Sequence, residues 1–408
     1  MLIDPYIGLV DSSPVDGSPL PVHVVESFTA LQPSPRVLRL SPRKIWEYHL
    51  KNLTEVRKAA FLHPSGGLLP LRAMKVEEVG ELELIKKIAR KFRRRYPPVV
   101  LGAGDDDCAV LECGELLRKY LVVTTDGMRA STHFPEGMTP FQMGWSVVAA
   151  NLSDIAAMGA RPFAFTVAMG IPPNTESSFV EEIAGGMESC AERFDVFVVG
   201  GDVVRSDELT LVGTCLGVVD KRKLVKRSGA SVDDLVCVTG NLGNAALGLE
   251  LLKGIVMSSL PQSVEKVAKK ALLEPVPRVK EGIALAETGV VTSMMDVSDG
   301  LAKSLHELSR SSSVGFEIHA ERIPVLKELR EVLGEKALEL ALYCGGDYEL
   351  LFTVRRDGMD ALKEVGKAIG TKISVIGKVK RLNEGIYIRN GRREEIKLRG
   401  YLHFGATP

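Results

Sequence analysis

Residues 145–160 read WSVVAANLSDIAAMGA, and this stretch decides how the chain around it folds. Its apolar and small residues recur at the i, i+3, i+4 and i+7 spacing of a helix packed against a core. These residues are Trp145, Val148, Ala149, Leu152, Ile155, Ala156 and Gly159. Asp154 shares one helix face with Asn151 although its surroundings are apolar, and an ionised carboxylate there needs a partner. The sequence therefore predicts a buried helix in which Asp154 is either paired within the protein or bound to a metal.

The composition describes a globular protein with more than one domain. The chain has 408 residues, of which 45% are hydrophobic, and 52 Lys+Arg balance 52 Asp+Glu. That length exceeds one ordinary core, and a net charge of zero offers no field to attract nucleic acid. The scattered cysteines argue against a disulfide framework or a structural zinc, and we find neither a membrane-length apolar run nor a signal-peptide pattern. We expect a cytoplasmic protein with no nucleic-acid or membrane partner.

Three segments follow one another along the chain. Residues 1–73 are rich in proline and turn residues and carry no recognisable chemistry, so they are either a wrongly assigned start or a genuine extension, disordered unless it docks. An amphipathic helix pattern begins at Met74, and helices and strands alternate to residue 222. A charged, turn-rich stretch, KRKLVKRSGAS (221–231), marks the boundary, and a second alternating region covers 223–408. The pattern predicts an extension followed by two domains of the α/β class.

Acidic residues stand at the ends of predicted strands or at strand-to-helix turns. They are Asp105, Asp106, Asp107, Asp126, Asp202, Asp296 and Asp299. Together with Asp154 they offer the oxygen ligands that magnesium prefers, although each acid alone equally suits a turn or a helix N-cap. The glycine-rich stretch GNLGNAALG lacks the Lys-Ser/Thr ending of a P-loop. A carboxylate-held metal site is therefore the stronger hypothesis.

A series of short motifs, in order along the chain, resembles the thiamine-monophosphate kinase family. The motifs are GDDDCAVL (104–111), LVVTTDGMRASTHF (121–134), NLSDIAAMGARP (151–162), VVGGDVVR (198–205), KRSGA (226–230), MDVSDGL (295–301), GGDYELLFT (345–353) and GYLHF (400–404). The resemblance covers the chain from about Met74 onward. It implies an N-terminal α+β domain whose mixed sheet pairs in a homodimer and a C-terminal α/β domain, with ATP and thiamine monophosphate meeting between the two.

The resemblance also implies a role for individual residues. The magnesium shell that it implies is Asp107, Thr124, Thr125, Asp126, Asp154, Asp202, Asp296 and Asp299, with Asp126, Asp154 and Asp299 assigned to catalysis. The positions implied for ATP are Gly201, Asp202, Arg227 and Ser298. The positions implied for thiamine monophosphate are His133, Asp347 and Tyr401.

Two departures from the family pattern leave alternatives open. The first acidic loop has three Asp where the family usually has two, and matching the following Cys-Ala-Val-Leu favours Asp107 over Asp106 as the ligand. The stretch Gly345-Gly346-Asp347-Tyr348-Glu349-Leu350 is one acid short of the family pattern. The missing acid contacts the substrate in the family, so either Asp347 takes over that contact or the contact is lost.

The function that the resemblance implies is ATP-dependent phosphorylation of thiamine monophosphate to thiamine diphosphate, by direct in-line transfer assisted by several magnesium ions. Joining two anionic groups places the barrier in repulsion and orientation, which metal ions relieve without an enzyme nucleophile. Two alternatives remain. One is another ATP-dependent synthetase with a different acceptor, from the superfamily that includes aminoimidazole ribonucleotide synthetase and selenophosphate synthetase. The other is a nucleotide-binding regulator without turnover.

Overall fold

The computed structural model describes residues 99–101, 105–112, 118–255 and 260–401. The extension 1–73 and the helix that we expect at Met74 lie outside these residues. In the first half of the described chain the elements are β1 (Val99–Leu101), β2 (Ala109–Glu112), β3 (Lys119–Arg129), α1 (Ala130–His133), α2 (Pro140–Ala157), β4 (Arg161–Ile171), α3 (Ser177–Arg193), β5 (Phe197–Arg205) and β6 (Thr210–Asp220).

The second half again alternates strands and helices. Its elements are β7 (Leu235–Thr239), α4 (Asn244–Leu252), α5 (Gln262–Leu273), α6 (Val279–Thr288), β8 (Val291–Val297), α7 (Leu301–Ser312), β9 (Val314–His319), α8 (Lys327–Leu333), α9 (Glu335–Tyr343), β10 (Glu349–Val354), α10 (Met359–Ile369), β11 (Ile373–Arg381), β12 (Ile386–Asn390) and β13 (Arg392–Glu395). Short 3-10 turns lie at Ala320–Arg322, Arg356–Gly358 and Leu382–Glu384. The α/β class predicted from the sequence is confirmed.

Two sheets organise these elements. The first has six strands in the order β1-β2-β3-β6-β4-β5, with every neighbouring pair antiparallel except the parallel pair β4 and β5. The second has seven strands in the order β13-β12-β9-β11-β7-β10-β8, and its one parallel pair is β12 and β9. Each sheet is therefore mixed and carries its own helices.

The stretch quoted at the outset forms the greater part of α2. The helix begins with a capping box, in which the Thr139 side chain accepts from the Gln142 backbone and the Gln142 side chain accepts from Thr139. Pro140 occupies the first turn, where a missing N–H is tolerated. The helix packs closely on α3 because Gly144 has no side chain, and a Cβ there would lie 1.9 Å from the Ile183 carbonyl oxygen.

Helix α2 also contacts the second half of the chain, and this contact positions the site. The Trp145 indole Nε1 donates to the Pro275 carbonyl oxygen at 2.8 Å. Near the other end, a Cβ on Gly282 of α6 would lie 2.1 Å from the Ala156 oxygen, so the two helices touch through their backbones. Ala157 belongs to the buried hydrophobic cluster that includes residues of β7, β8 and β10 in the second sheet. The C-terminal part of α2 thus lies between the two halves of the chain.

None of the helices within the described ranges has the length and apolar character needed to cross a membrane.

Candidate metal and phosphate site

Three carboxylates from distant parts of the sequence meet beside α2. Asp107 precedes β2, Asp154 lies on α2 and Asp296 lies on β8, and one oxygen atom from each lies within 4.8 Å of the others. Two hydroxyl groups hold this cluster. Thr124 Oγ1 donates to Asp154 Oδ2 at 2.6 Å, and Ser153 Oγ donates to Asp296 Oδ2 at 2.8 Å. The oxygens of the three-carboxylate cluster are therefore fixed by the surrounding structure.

The electrostatics of the three-carboxylate cluster oppose full ionisation. Burial, followed by the charge of Asp107, raises the pKa of Asp296 to about 8. Burial together with the charges of Asp126 and Asp296 raises the pKa of Asp154 well above its usual value. Arg227 neutralises part of this negative charge, because its guanidinium forms an ion pair with the Asp107 carboxylate. Nearby carboxylates raise the pKa of Arg227 against the opposing effect of burial. One guanidinium leaves a net negative site.

The cluster fits a hard divalent cation. Asp107 Oδ2 is buried and finds no hydrogen-bond partner within the described residues, a costly arrangement unless something else binds it. Carboxylate and hydroxyl oxygens are the ligands that magnesium prefers. Ligand acids that converge on a cation site repel one another, and this repulsion raises their pKa values. A bound cation offsets the repulsion.

The two candidate acids of the first loop have different partners. Asp106 accepts the Arg227 backbone N–H at 3.0 Å and the Asp107 N–H at 2.9 Å, so its carboxylate anchors the segment that carries Arg227. Asp107 instead joins Asp154 and Asp296. The geometry favours Asp107 as the metal ligand, in agreement with the choice made from the motif.

The remaining predicted magnesium ligands lie at different distances from the cluster. Asp126 lies two residues after Thr124 on β3, so the two side chains share one face of the strand, and Thr124 bonds to Asp154. The Thr125 hydroxyl donates to the Gly213 carbonyl oxygen at 2.6 Å, on the face of β3 opposite Thr124. Asp202 is exposed on the edge strand β5 and accepts its neighbour's backbone N–H. The assignments of Asp126, Thr125 and Asp202 to the shell stay predictions.

The positions implied for ATP lie in different elements: Gly201 and Asp202 on β5, Arg227 between β6 and β7, and Ser298 directly after β8. Gly201 of β5 packs against β4 so closely that a Cβ would lie 2.1 Å from the Val167 oxygen. The Ser298 hydroxyl lies 3.4 Å from Asp296 Oδ1, which brings it to the three-carboxylate cluster. Arg227 contacts the cluster directly through Asp107. Two of the implied ATP residues, Arg227 and Ser298, thus meet at the carboxylates, and their assignment to ATP stays a prediction.

The structure brings two of the implied substrate residues together. The rings of His133 and Tyr401 lie 6.1 Å apart, centroid to centroid, with their planes inclined at 62°. Asp347 is engaged elsewhere, because its two carboxylate oxygens accept the backbone N–H groups of Gly243 and Ala245 at 2.7 and 3.1 Å. Burial raises the pKa of Asp347 to about 7. Asp347 therefore anchors the start of α4, and its contact with a substrate stays a prediction.

Three residues near the site were not singled out from the sequence. Ser153 holds Asp296, and its only sequence signal is its place beside Asp154. Tyr348 is held with φ of 50° after the glycines of GGDYEL, and burial, followed by the charge of Asp126, raises its pKa. Lys303 contacts Asp299 at 2.8 Å. The i,i+4 spacing of Lys303 from Asp299 is a signal that the sequence contains.

Family comparison agrees with this fold. The model for the N-terminal domain of AIR synthase related proteins matches residues 105–219, and the model for their C-terminal domain matches residues 231–388. The chain is thus an AIR synthase related protein with both domains of that class.

Curated relatives narrow the class. The thiamine-monophosphate kinase of Methanospirillum hungatei JF-1 is 39% identical over 300 residues, covering 73% of this chain and 92% of the relative. That of Archaeoglobus fulgidus is 37% identical over 326 residues, covering 79% and 98%. The chain belongs to the thiamine-monophosphate kinase family.

Solved structures give the same result. The structure of AaThiL complexed with AMPPCP and TMP matches with a TM-score of 0.70 at 29% identity, covering 82% of this chain and 100% of that one. Escherichia coli HypE, a hydrogenase maturation protein, matches with a TM-score of 0.57 at 18% identity, covering 78% and 97%. The second likeness speaks for the fold alone.

Proposed function

We propose that this enzyme transfers the γ-phosphoryl group of ATP to thiamine monophosphate, giving thiamine diphosphate and ADP. The observation that carries the proposal is the meeting of Asp107, Asp154 and Asp296 within 4.8 Å, with Arg227 bonded to Asp107. Relatives named thiamine-monophosphate kinase, and a related structure complexed with AMPPCP and TMP, support the choice of substrates.

The residues support a direct transfer. An oxygen of the substrate phosphate forms the new bond to the γ-phosphorus while the bond to the bridging oxygen of ADP breaks, so no enzyme nucleophile is needed. We assign Asp107, Asp154 and Asp296 as magnesium ligands, and the other implied positions, Thr124, Thr125, Asp126, Asp202 and Asp299, as the rest of the shell. Bound magnesium supplies charge neutralisation and Lewis-acid polarisation of phosphate oxygens.

The protein's own side chains orient the two substrates. Thr124 and Ser153 hold the carboxylates of Asp154 and Asp296 in place, which preorganises the site before the phosphates bind. The guanidinium of Arg227 suits a planar, multiply bonded contact with a nucleotide phosphate. The rings of His133 and Tyr401 offer aromatic surface to the thiamine rings.

A test of the function measures ADP release by the full chain with ATP and Mg²⁺, with and without thiamine monophosphate, and identifies the product by chromatography. We expect ADP to form only with thiamine monophosphate and in equal amount to thiamine diphosphate. ADP formed with another acceptor alone would favour the synthetase alternative. Nucleotide binding without any ADP would favour the regulator alternative. Either result would refute the proposal.

We further propose that the enzyme is a homodimer joined through its first sheet. The edge strand β5 leaves Phe197, Val199 and Val203 at least 60% exposed, and such an apolar edge invites pairing. Sedimentation analysis should show a dimer that Val203→Lys weakens. Val232→Lys is the matched control, because Val232 is an exposed valine outside the first sheet. A wild-type monomer at micromolar concentration would contradict the proposal.

We propose the cytoplasm as the compartment of this enzyme. The cysteines of the described chain are free, and Cys108, Cys190, Cys215 and Cys237 are buried. Free thiols are the usual state of cysteine in a reducing compartment. Fractionation of cells that express the tagged full chain checks the assignment, which recovery in a secreted or membrane fraction would contradict.

A further inference from the structure

We infer that Lys303 is a positioning residue that ties Asp299, in the proposed metal shell, to Tyr401, in the proposed substrate site. The inference rests on the proposed function for the roles of those two residues. Lys303 lies in the first turn of α7, and Asp299 lies two residues before the helix begins. The Lys303 Nζ atom lies 2.8 Å from Asp299 Oδ2 and 3.3 Å from the Tyr401 carbonyl oxygen.

The backbone makes a second connection at the same place. The Tyr401 N–H donates to the Asp299 carbonyl oxygen at 3.2 Å. Gly400 lies directly against this pair, because a Cβ on it would be 2.6 Å from the Asp299 oxygen and 3.0 Å from Lys303 Cβ. Residues 400 and 401 are thus held on the turn before α7 by one ammonium, one backbone hydrogen bond and one close backbone approach.

The burial of Lys303 increases the importance of the contacts that its ammonium group makes. The Lys303 side chain is only 12% exposed, whereas that of Asp299 is 34% exposed. A largely buried ammonium needs its charge and donors satisfied, and a carboxylate and a carbonyl are strong acceptors for it. An exposed lysine pair contributes little to stability, but the Lys303 side chain of this pair is largely buried and lies against Gly400. Lys303 therefore fixes the position of that segment as well as the orientation of the Asp299 carboxylate.

The consequence for the site follows from the ring contact of Tyr401 with His133, which lies in the first half of the chain. If the Tyr401 backbone is released from α7, its ring loses its fixed distance from His133. The loss affects binding of thiamine monophosphate, and the less ordered Asp299 carboxylate lowers kcat, whereas Arg227 and Ser298 keep their contacts with Asp107 and Asp296. Lys303 acts through Tyr401 and Asp299, as residues behind a binding group commonly do.

The test compares Lys303→Met, Lys303→Arg and Lys327→Met in the full chain. Met keeps most of the side-chain length without the charge, and Arg keeps the charge. Lys327 is the matched control, because it makes an i,i+4 pair with Glu331 at 3.3 Å but is 84% exposed. For Lys303→Met we expect the KM for thiamine monophosphate to rise about tenfold and the KM for ATP to change less than about twofold, from the loss of one charge-assisted contact. Lys303→Arg should have a KM for thiamine monophosphate close to that of the wild type, because it keeps the charge.

A second measurement is independent of turnover. Hydrogen exchange at the Tyr401 amide should be about tenfold faster in Lys303→Met than in wild type or Lys327→Met, because the segment opens more often. Gly400→Ala should give the same two effects while leaving the ammonium in place, which covers the case in which Lys303→Met does not fold.

The outcomes separate the inference from the function. Faster exchange in an enzyme that does not phosphorylate thiamine monophosphate would keep the connection and refute the proposed function. Unchanged exchange at Tyr401 in Lys303→Met and Gly400→Ala would overturn the inference, whatever the activity. An equal rise in both KM values would also overturn it, because the role of Lys303 would then be general stability.

Discussion

Replacing Asp154 with Asn separates the charge of the α2 carboxylate from its shape. Asn has nearly the same volume, and its amide oxygen can still accept the hydrogen bond that the Thr124 hydroxyl donates at 2.6 Å. The variant removes one negative charge from a cluster whose other carboxylates, Asp107 and Asp296, have oxygens within 4.8 Å. The fold should therefore survive while the affinity for a cation falls.

The structure gives the magnitudes. Two unit charges 4.8 Å apart repel by about 3.5 kcal/mol at an effective dielectric constant of about 20. The raised pKa of Asp154 means that protonation already relieves part of this repulsion at neutral pH. We expect the metal-free variant to be as stable as wild type or more stable, by about 1 kcal/mol. With Mg²⁺ present, kcat should fall by about 10²-fold to 10³-fold, the usual size of one lost electrostatic contact to the reacting groups.

Three measurements check this prediction: ADP release at saturating substrates, thermal unfolding in EDTA, and the shift in Tm on adding Mg²⁺. The control is Asp360→Asn, since Asp360 is an acid on α10 with a 94% exposed side chain. The control should match wild type in all three. Wild-type kcat in Asp154→Asn, together with a full Mg²⁺-induced rise in Tm, would remove Asp154 from the metal shell and refute the reasoning.

Three further predictions concern the pH dependence of stability, the Tyr401 ring and the extension. Burial and neighbouring carboxylates raise the pKa of Asp296 to about 8 and that of Asp106 to about 7. Both groups stabilise the folded state fully below about pH 4, the pKa of Asp in the unfolded chain, and this stabilisation is lost as the pH rises through about 7 to 8. The Tm in EDTA should fall from pH 5 to pH 9 and Mg²⁺ should reduce the fall, whereas a Tm that rises with pH would contradict the raised values. Tyr401→Ala should raise the KM for thiamine monophosphate much more than the KM for ATP, and equal effects would favour a structural role for the ring. A chain that starts at Met74 should phosphorylate thiamine monophosphate at close to the full-length rate, because every family motif follows that residue, and a soluble product without turnover would give the extension a part in the site.

Local pattern was enough to predict the elements that carry the site. The apolar spacing of residues 145–160 predicted a buried helix, and the structure has α2 at Pro140–Ala157 with most of that stretch buried. Strands were likewise visible as short apolar runs, such as LVVTTD within β3. Both signals depend on neighbours within a few positions, so they can be read without the fold. Strand pairing cannot, because β3 pairs with β6 and β2 through contacts that no local pattern records.

For the acids at the strand ends, too, part of the arrangement could be predicted from the sequence and part depends on the fold. The sequence indicated that several of them converge, and Asp107, Asp154 and Asp296 do converge. The sequence alone did not show that Asp347 caps α4, because the family resemblance suggested only that Asp347 replaces the missing acid in contacting the substrate. A capping contact of this kind depends on where α4 begins in space relative to the end of α9.

The α/β class, the main helix and the family could be predicted without the fold, because hydrophobic period and motif order are properties of the chain. The folded structure was needed to show that Asp107 joins the three-carboxylate cluster while Asp106 holds the Arg227 backbone. It also decided that Ser153 supports Asp296, from which it is 143 residues distant in the chain. Hydrogen bonds and charge pairs act over a few ångströms of space, so their partners are set by how the two sheets and α2 come together.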